Sequence, residues 1–107
     1  MEVIIVYCTF PTKETACQIG TLLIEKQLAA CVNLLPKVES IFQWDGKMRY
    51  ESEVMLIIKT TKGRYHQLEA ELLNKHPYDS PEIISTEVSS GAEGYLEWVR
   101  DQVKGHH

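Results

Sequence analysis

The chain has 107 residues, 44% of them hydrophobic and 24% charged, with a formal net charge of −4. That suffices for one domain, spanning 1–107, whose core needs no metal or disulfide staple. Acids and bases are interspersed, which leaves no clustered basic face for nucleic acid, and no apolar run approaches the ~20 residues that cross a bilayer.

Val3-Ile4-Ile5-Val6-Tyr7-Cys8 is a continuous run rich in β-branched residues, the pattern of a strand at the centre of a sheet or covered on both faces. Pro11-Thr12 interrupts it and supplies a helix start. Ala16, Ile19, Gly20, Leu23, Ile24 and Leu28 then form one helical stripe that ends near Gln27 to Ala29. Gly20 on that stripe permits close approach to a sheet, at a propensity cost of ~1 kcal/mol against Ala.

Cys31-Val32-Asn33-Leu34-Leu35 reads as a strand, and Pro36 marks a bulge or an edge position. Strand character resumes through Val38, Ile41, Phe42 and Trp44 until Asp45-Gly46, a two-residue hairpin signal. The return strand starts near Lys47 and runs through Val54-Met55-Leu56-Ile57-Ile58 toward Lys59-Thr60-Thr61. Each arm has about 12 residues, against a usual 5–6. A ribbon that long projects beyond a small domain, and its exposed ladder needs another subunit.

Tyr65, Leu68, Glu69, Leu72 and Leu73 give a second amphipathic helix that stops at Lys75-His76-Pro77. Glu82 to Val88 is a last strand, and Ala92, Tyr95, Leu96, Val99 and Val103 form the apolar side of a last helix. The order βαββαβ plus a C-terminal helix predicts an α+β, ferredoxin-like sandwich with an extended hairpin.

His76-Pro77-Tyr78-Asp79-Ser80-Pro81-Glu82 is the densest concentration of chemistry in the chain. Each proline pushes the residue before it toward extended geometry, so the segment is a stiff connector holding an imidazole, a phenol and a carboxylate. Cys8, Cys17 and Cys31 form no CxxC and cannot all pair. They read as reduced thiols, and with no signal-peptide pattern at the start the expected location is cytoplasmic. Neither a GxSxG elbow nor a phosphate-cradling glycine loop is present, so no enzyme is expected. Glu51 and Glu53 lie at strand spacing, where a solvated or intersubunit ion-pair role is the simple reading.

The chain resembles the CutA divalent-cation tolerance family. The resemblance rests on Leu28-Ala29-Ala30-Cys31-Val32-Asn33, Trp44-Asp45-Gly46-Lys47, Glu53 with Lys59-Thr60, and the His76–Glu82 segment. It implies a ferredoxin-like protomer in a homotrimer whose long hairpins pair between subunits. It also implies a role in tolerance to copper and other divalent cations, no established reaction, and an architecture like that of trimeric PII-type signalling proteins.

Cys8 and His76 match positions credited with copper binding in a bacterial member, and thiolate with imidazole suits copper or zinc. Lys75 stands where the bacterial pattern has a further histidine. Free cysteine is commonly buried, so a small core residue is the readier reading of Cys8, and His76 reads equally as a helix-end cap or as a loop hydrogen-bonding group. A second set, Asn33, Trp44, Lys59, Tyr78 and Glu82, is expected to meet at a cleft between subunits and to suit a small ligand, the PII-like alternative. Its members also have plainer readings, Trp44 as hairpin-tip packing and Lys59 as an exposed strand end. A protein partner is not specified by the sequence. His106 and His107, at the end of the chain, belong to neither set.

Overall fold

A computed structural model describes residues 1–104; the tail histidines, His106 and His107, lie outside the described residues. The elements run β1 Val3–Phe10, α1 Lys13–Glu25, β2 Cys31–Trp44, β3 Lys47–Thr61, α2 Tyr65–Lys75, β4 Ile83–Glu87 and α3 Glu93–Gln102, with a short 3-10 turn at Lys62–Arg64. All neighbours in the sheet are antiparallel and the order is β2-β3-β1-β4. That is the ferredoxin-like arrangement expected from the sequence.

Local signals act where they were read. Thr12 caps α1, its side-chain oxygen accepting from the Thr15 N–H at 3.1 Å, which satisfies one orphan donor. α1 gives out at Gln27, in the left-handed region at φ 58°, and the N–H of Leu28 returns to the Leu23 carbonyl. A methyl group on Gly20 would sit 3.2 Å from Val32 Cγ1, so the glycine lets helix and sheet approach. Leu28 is then held from the sheet by Thr60, whose hydroxyl donates to the Leu28 carbonyl at 2.7 Å.

The alternation of β1 and β3 puts Ile4, Val6, Cys8, Phe10, Val54, Leu56 and Ile58 on one face, against α1 and α2. Each large side chain fully buried there contributes about 1.5–3 kcal/mol. Val3, Ala30, Val99 and Val103 form a smaller cluster under α3. Three large residues of the helical stripes, Ile24, Leu73 and Tyr95, are exposed, at 40%, 53% and 44%, because they lie on helix faces turned away from the core.

The hairpin is longer than the sequence predicted, with arms of 14 and 15 residues. Pro36 marks an irregularity, since the register shifts between Leu35 and Val38 and Lys37 adopts φ 62°. Asp45 and Gly46, at φ 53° and 73°, make the turn with two left-handed residues. Pairing between β1 and β3 ends at Phe10–Val54. From Glu53 outward β3 pairs only with β2, so Lys47–Glu53 extends about 23 Å beyond the body of the sheet.

Candidate functional site

α2 stops at His76 because Pro77 follows it. His76 is extended, at φ −70° and ψ 139°, while its own N–H still reaches the Leu72 carbonyl. This geometry turns the imidazole onto the end of β1, where it stacks on Phe10 with ring centroids 4.5 Å apart. Nε2 lies 2.7 Å from the Thr9 carbonyl oxygen. A carbonyl only accepts, so Nε2 carries the proton. Nδ1 in turn accepts the Tyr78 N–H at 3.0 Å. The ring is therefore a neutral imidazole of defined tautomer. Burial holds its pKa below the usual 6.5, against the opposing pull of the Thr9 carbonyl and Glu53.

Cys8 is completely buried within the helix-side core. Burial, then the negative charges of Glu82 and Glu53, push its thiol up to about 12. Phe10, two residues farther along the same strand face, is the ring on which His76 stacks, so the two proposed ligands flank one strand end. Lys75 is exposed and adds a positive charge to the last turn of α2. Among the described residues no group of three or more His, Cys, Asp or Glu side chains is arranged to hold a metal ion.

Trp44, Tyr78 and Glu82 line one cavity of about 800 Å³ between the hairpin stem and the loop after α2. Asn33 and Lys59 do not reach it. Lys59 pairs with Cys31 and Ile5 at the opposite end of the ladder, and its Nζ donates to Asn33 Oδ1. Twelve residues of extended β3 separate Lys59 from Lys47, the partner of Trp44, or about 40 Å. Within one protomer the five residues thus form two groups.

Glu53 is the residue whose place the sequence did not convey. It is 8% exposed, whereas Glu51, two positions earlier on the strand, faces solvent. The Tyr78 hydroxyl donates to Glu53 Oε2 at 2.9 Å, and burial first, then Glu53, pushes the phenol up to about 12. The reading of Glu53 as one more solvated strand acid is corrected by this contact: the loop folds over it. Its position beside the Val54–Ile58 apolar run was the one available signal.

The family model described as CutA1 divalent ion tolerance protein matches residues 4–102. The "Divalent-cation tolerance protein CutA" of Thermus thermophilus is 37% identical over 97 residues, 91% of this chain and 94% of its own. "Protein CutA, chloroplastic" of Arabidopsis thaliana is 37% identical over 101 residues, 94% of this chain and 56% of that protein. The chain thus spans little more than half the length of that curated relative. The crystal structure of CutA1 from Oryza sativa superposes with a TM-score of 0.93 at 37% identity, covering 95% of this chain and 94% of the other.

Proposed function

The chain belongs to the CutA1 divalent ion tolerance protein family, and on that footing we propose that it serves divalent-cation tolerance by binding the metal itself, copper before other divalent ions, as a homotrimer. The observation that carries this reading is the His76 ring. Its Nε2–H is anchored on the Thr9 carbonyl, and the lone pair is on Nδ1. Metal-ligating histidines commonly fix their tautomer through such a contact to the second nitrogen. Cys8, at the same strand end, offers sulfur, and a nitrogen–sulfur pair favours copper or zinc over magnesium or calcium.

Binding requires that Nδ1 release the Tyr78 N–H and that Cys8 lose its proton. Uptake is therefore coupled to proton release and strengthens with rising pH. Glu53 and Glu82, whose charges act on Cys8, supply a negative field that favours a cation. Binding rather than catalysis is the proposed activity.

The trimer is supported by apolar surface that one protomer leaves uncovered. Ile41, Trp44, Met48 and Tyr50 on the hairpin are 55–72% exposed. Leu35, Met55, Ile57, Tyr7 and Ile84 occupy neighbouring register positions on the sheet face opposite the helices. Long ribbons with such surface pair with another chain or aggregate. Free Cys8, Cys17 and Cys31 support a reducing compartment, for which the cytoplasm is proposed. The PII-like alternative, a ligand cleft between subunits, lacks a comparable supporting observation, since within one protomer Asn33 and Lys59 lie apart from Trp44, Tyr78 and Glu82.

Calorimetric titration of copper tests the reading, using the full chain with His106→Ala and His107→Ala so that the tail contributes nothing. Stoichiometric uptake that weakens at least tenfold in both Cys8→Ser and His76→Ala is expected. Absence of uptake, or uptake indifferent to both substitutions, overturns it.

A further inference from the structure

The segment between α2 and β4 is tethered to the rest of the molecule through one residue. Pro77, Asp79, Ser80 and Glu82 are exposed, whereas Tyr78 is half-buried. Between Pro77 and Glu82, Tyr78 makes every hydrogen bond found among the described residues. Its N–H donates to His76 Nδ1 at 3.0 Å and its hydroxyl to Glu53 Oε2 at 2.9 Å. The main chain of Tyr78 thus covers the imidazole while its side chain is fastened to β3. Its ring completes the cover, with centroids 4.9 Å apart at a tilt of 44°.

The walls around His76 are not equally firm. Phe10 lies against the ring and the Thr9 carbonyl holds Nε2. Both residues are buried, and both sit in the β1–β3 ladder, Thr9 opposite Met55 and Phe10 opposite Val54. Moving either one disrupts the core. Tyr78 has no ladder behind it. Segments with few backbone hydrogen bonds and exposed neighbours open at free energies well below that of global unfolding. Pro77, with its φ fixed, removes one freedom between His76 and Tyr78, so lifting the phenol from Glu53 draws the Tyr78 N–H off Nδ1.

We propose that Tyr78 is a latch on the imidazole, with Glu53 as its catch. The bond between hydroxyl and carboxylate keeps the lone pair of His76 capped, and its release opens Nδ1 to an incoming metal ion. The latch stands on the two hydrogen bonds, and its consequence for metal rests on the copper reading of His76. Apparent affinity is reduced by the fraction of molecules in which the binding-competent state is populated. The loop therefore sets how tightly the site binds without supplying a ligand.

Amide hydrogen exchange, followed by NMR on the full chain without metal, tests the latch. The Tyr78 amide is expected to exchange faster than that of Val6, which is paired on both sides in the sheet. Its rate should not change with urea below the unfolding transition, because a local opening exposes little new surface. Tyr78→Phe keeps the amide and loses the hydroxyl, so exchange at position 78 should rise roughly tenfold. Exchange only together with Val6 in a urea-dependent step, or a rate unchanged by Tyr78→Phe, overturns the proposal. Should Tyr78→Phe fail to fold, Glu53→Gln decides, since it keeps an acceptor but drops the charge that strengthens the bond. It is expected to speed exchange several-fold, and an unchanged rate overturns the latch equally. In calorimetric titration with copper, Tyr78→Phe should bind about tenfold more tightly than wild type, while Cys8→Ser binds more weakly. Copper uptake equally tight in wild type and Tyr78→Phe overturns the latch and leaves the copper reading intact. Accelerated exchange with no copper uptake supports the latch and overturns the copper reading.

Discussion

Tyr78 donates its hydroxyl to Oε2 of Glu53 at 2.9 Å, joining the loop after α2 to the hairpin stem across 25 residues of sequence. It is the one protein donor on that buried carboxylate among the described residues. The contact couples the position of the loop to the state of one acid.

Tyr78→Phe removes the donor and leaves Glu53 buried without a hydrogen bond. The expected loss is about 1–3 kcal/mol, the cost of an unsatisfied buried polar group, read from urea midpoints at unchanged slope. A second reading comes from alkaline titration. The folded phenol is pushed up to about 12 from 10.0, so the protonated form is favoured by folding. Its contribution is complete below the unfolded value near 10 and fades as pH rises from there through about 12. Ultraviolet difference spectra of wild type minus Tyr78→Phe should place that one ionisation above the bulk of the tyrosines.

His76 should make the protein less stable in mild acid. Folding lowers its pKa below 6.5, chiefly through burial, so the unfolded chain binds a proton more readily. Stability is then complete above the unfolded value and is lost as pH falls below it through the folded pKa. Protonation also ends the acceptor role of Nδ1 toward Tyr78. His76→Gln is expected to flatten the fall in stability just below pH 6.5, measured as the difference in unfolding free energy across that interval.

The thiols should react in the order of their exposure. Cys17 is exposed, while Cys8 is buried with its thiol raised to about 12. The thiolate is the reactive species. A chromogenic disulfide reagent at neutral pH is expected to modify Cys17 at once and Cys8 only after denaturant is added. Prompt loss of Cys8 in the native protein, located by mass spectrometry of the digested product, would contradict the burial on which its shifted acidity rests.

Assembly should depend on the hairpin. Ile41 and Tyr50 are register partners and are 67% and 72% exposed, so one protomer gives them little to pack on. Replacing both with lysine should leave the far-ultraviolet spectrum intact while light scattering reports a fall from the proposed trimer to monomer. A trimer that survives both charges would place its contact surface elsewhere.

Local physics was legible in the chain. The Asp45-Gly46 turn, the Thr12 cap, the irregularity at Pro36, the close approach at Gly20 and the stop of α2 before Pro77 each follow from the backbone preferences of a few neighbouring residues. The β1, β3 and helix patterns then restrict how one core can be covered, and with the motif resemblance the ferredoxin-like order followed. Ile24 and Leu73 mark the limit of that reasoning, since a helical stripe is wider than the surface the sheet can cover.

What only the tertiary structure decided is which distant residues meet. Thr9 and His76, 67 positions apart, share a hydrogen bond, and neither sequence context specifies a carbonyl facing an imidazole. Glu53 reads like Glu51 in sequence, yet one is buried beneath Tyr78 and the other faces solvent. Asn33 and Lys59, chemically suited to join Trp44 and Tyr78, are held away by the length of β3. Side-chain chemistry and local conformation are encoded in short stretches, so the sequence by itself determined the fold and the inventory of donors. Burial, tautomer and ligand spacing arise from contacts between segments far apart along the chain, and only their packing could decide them.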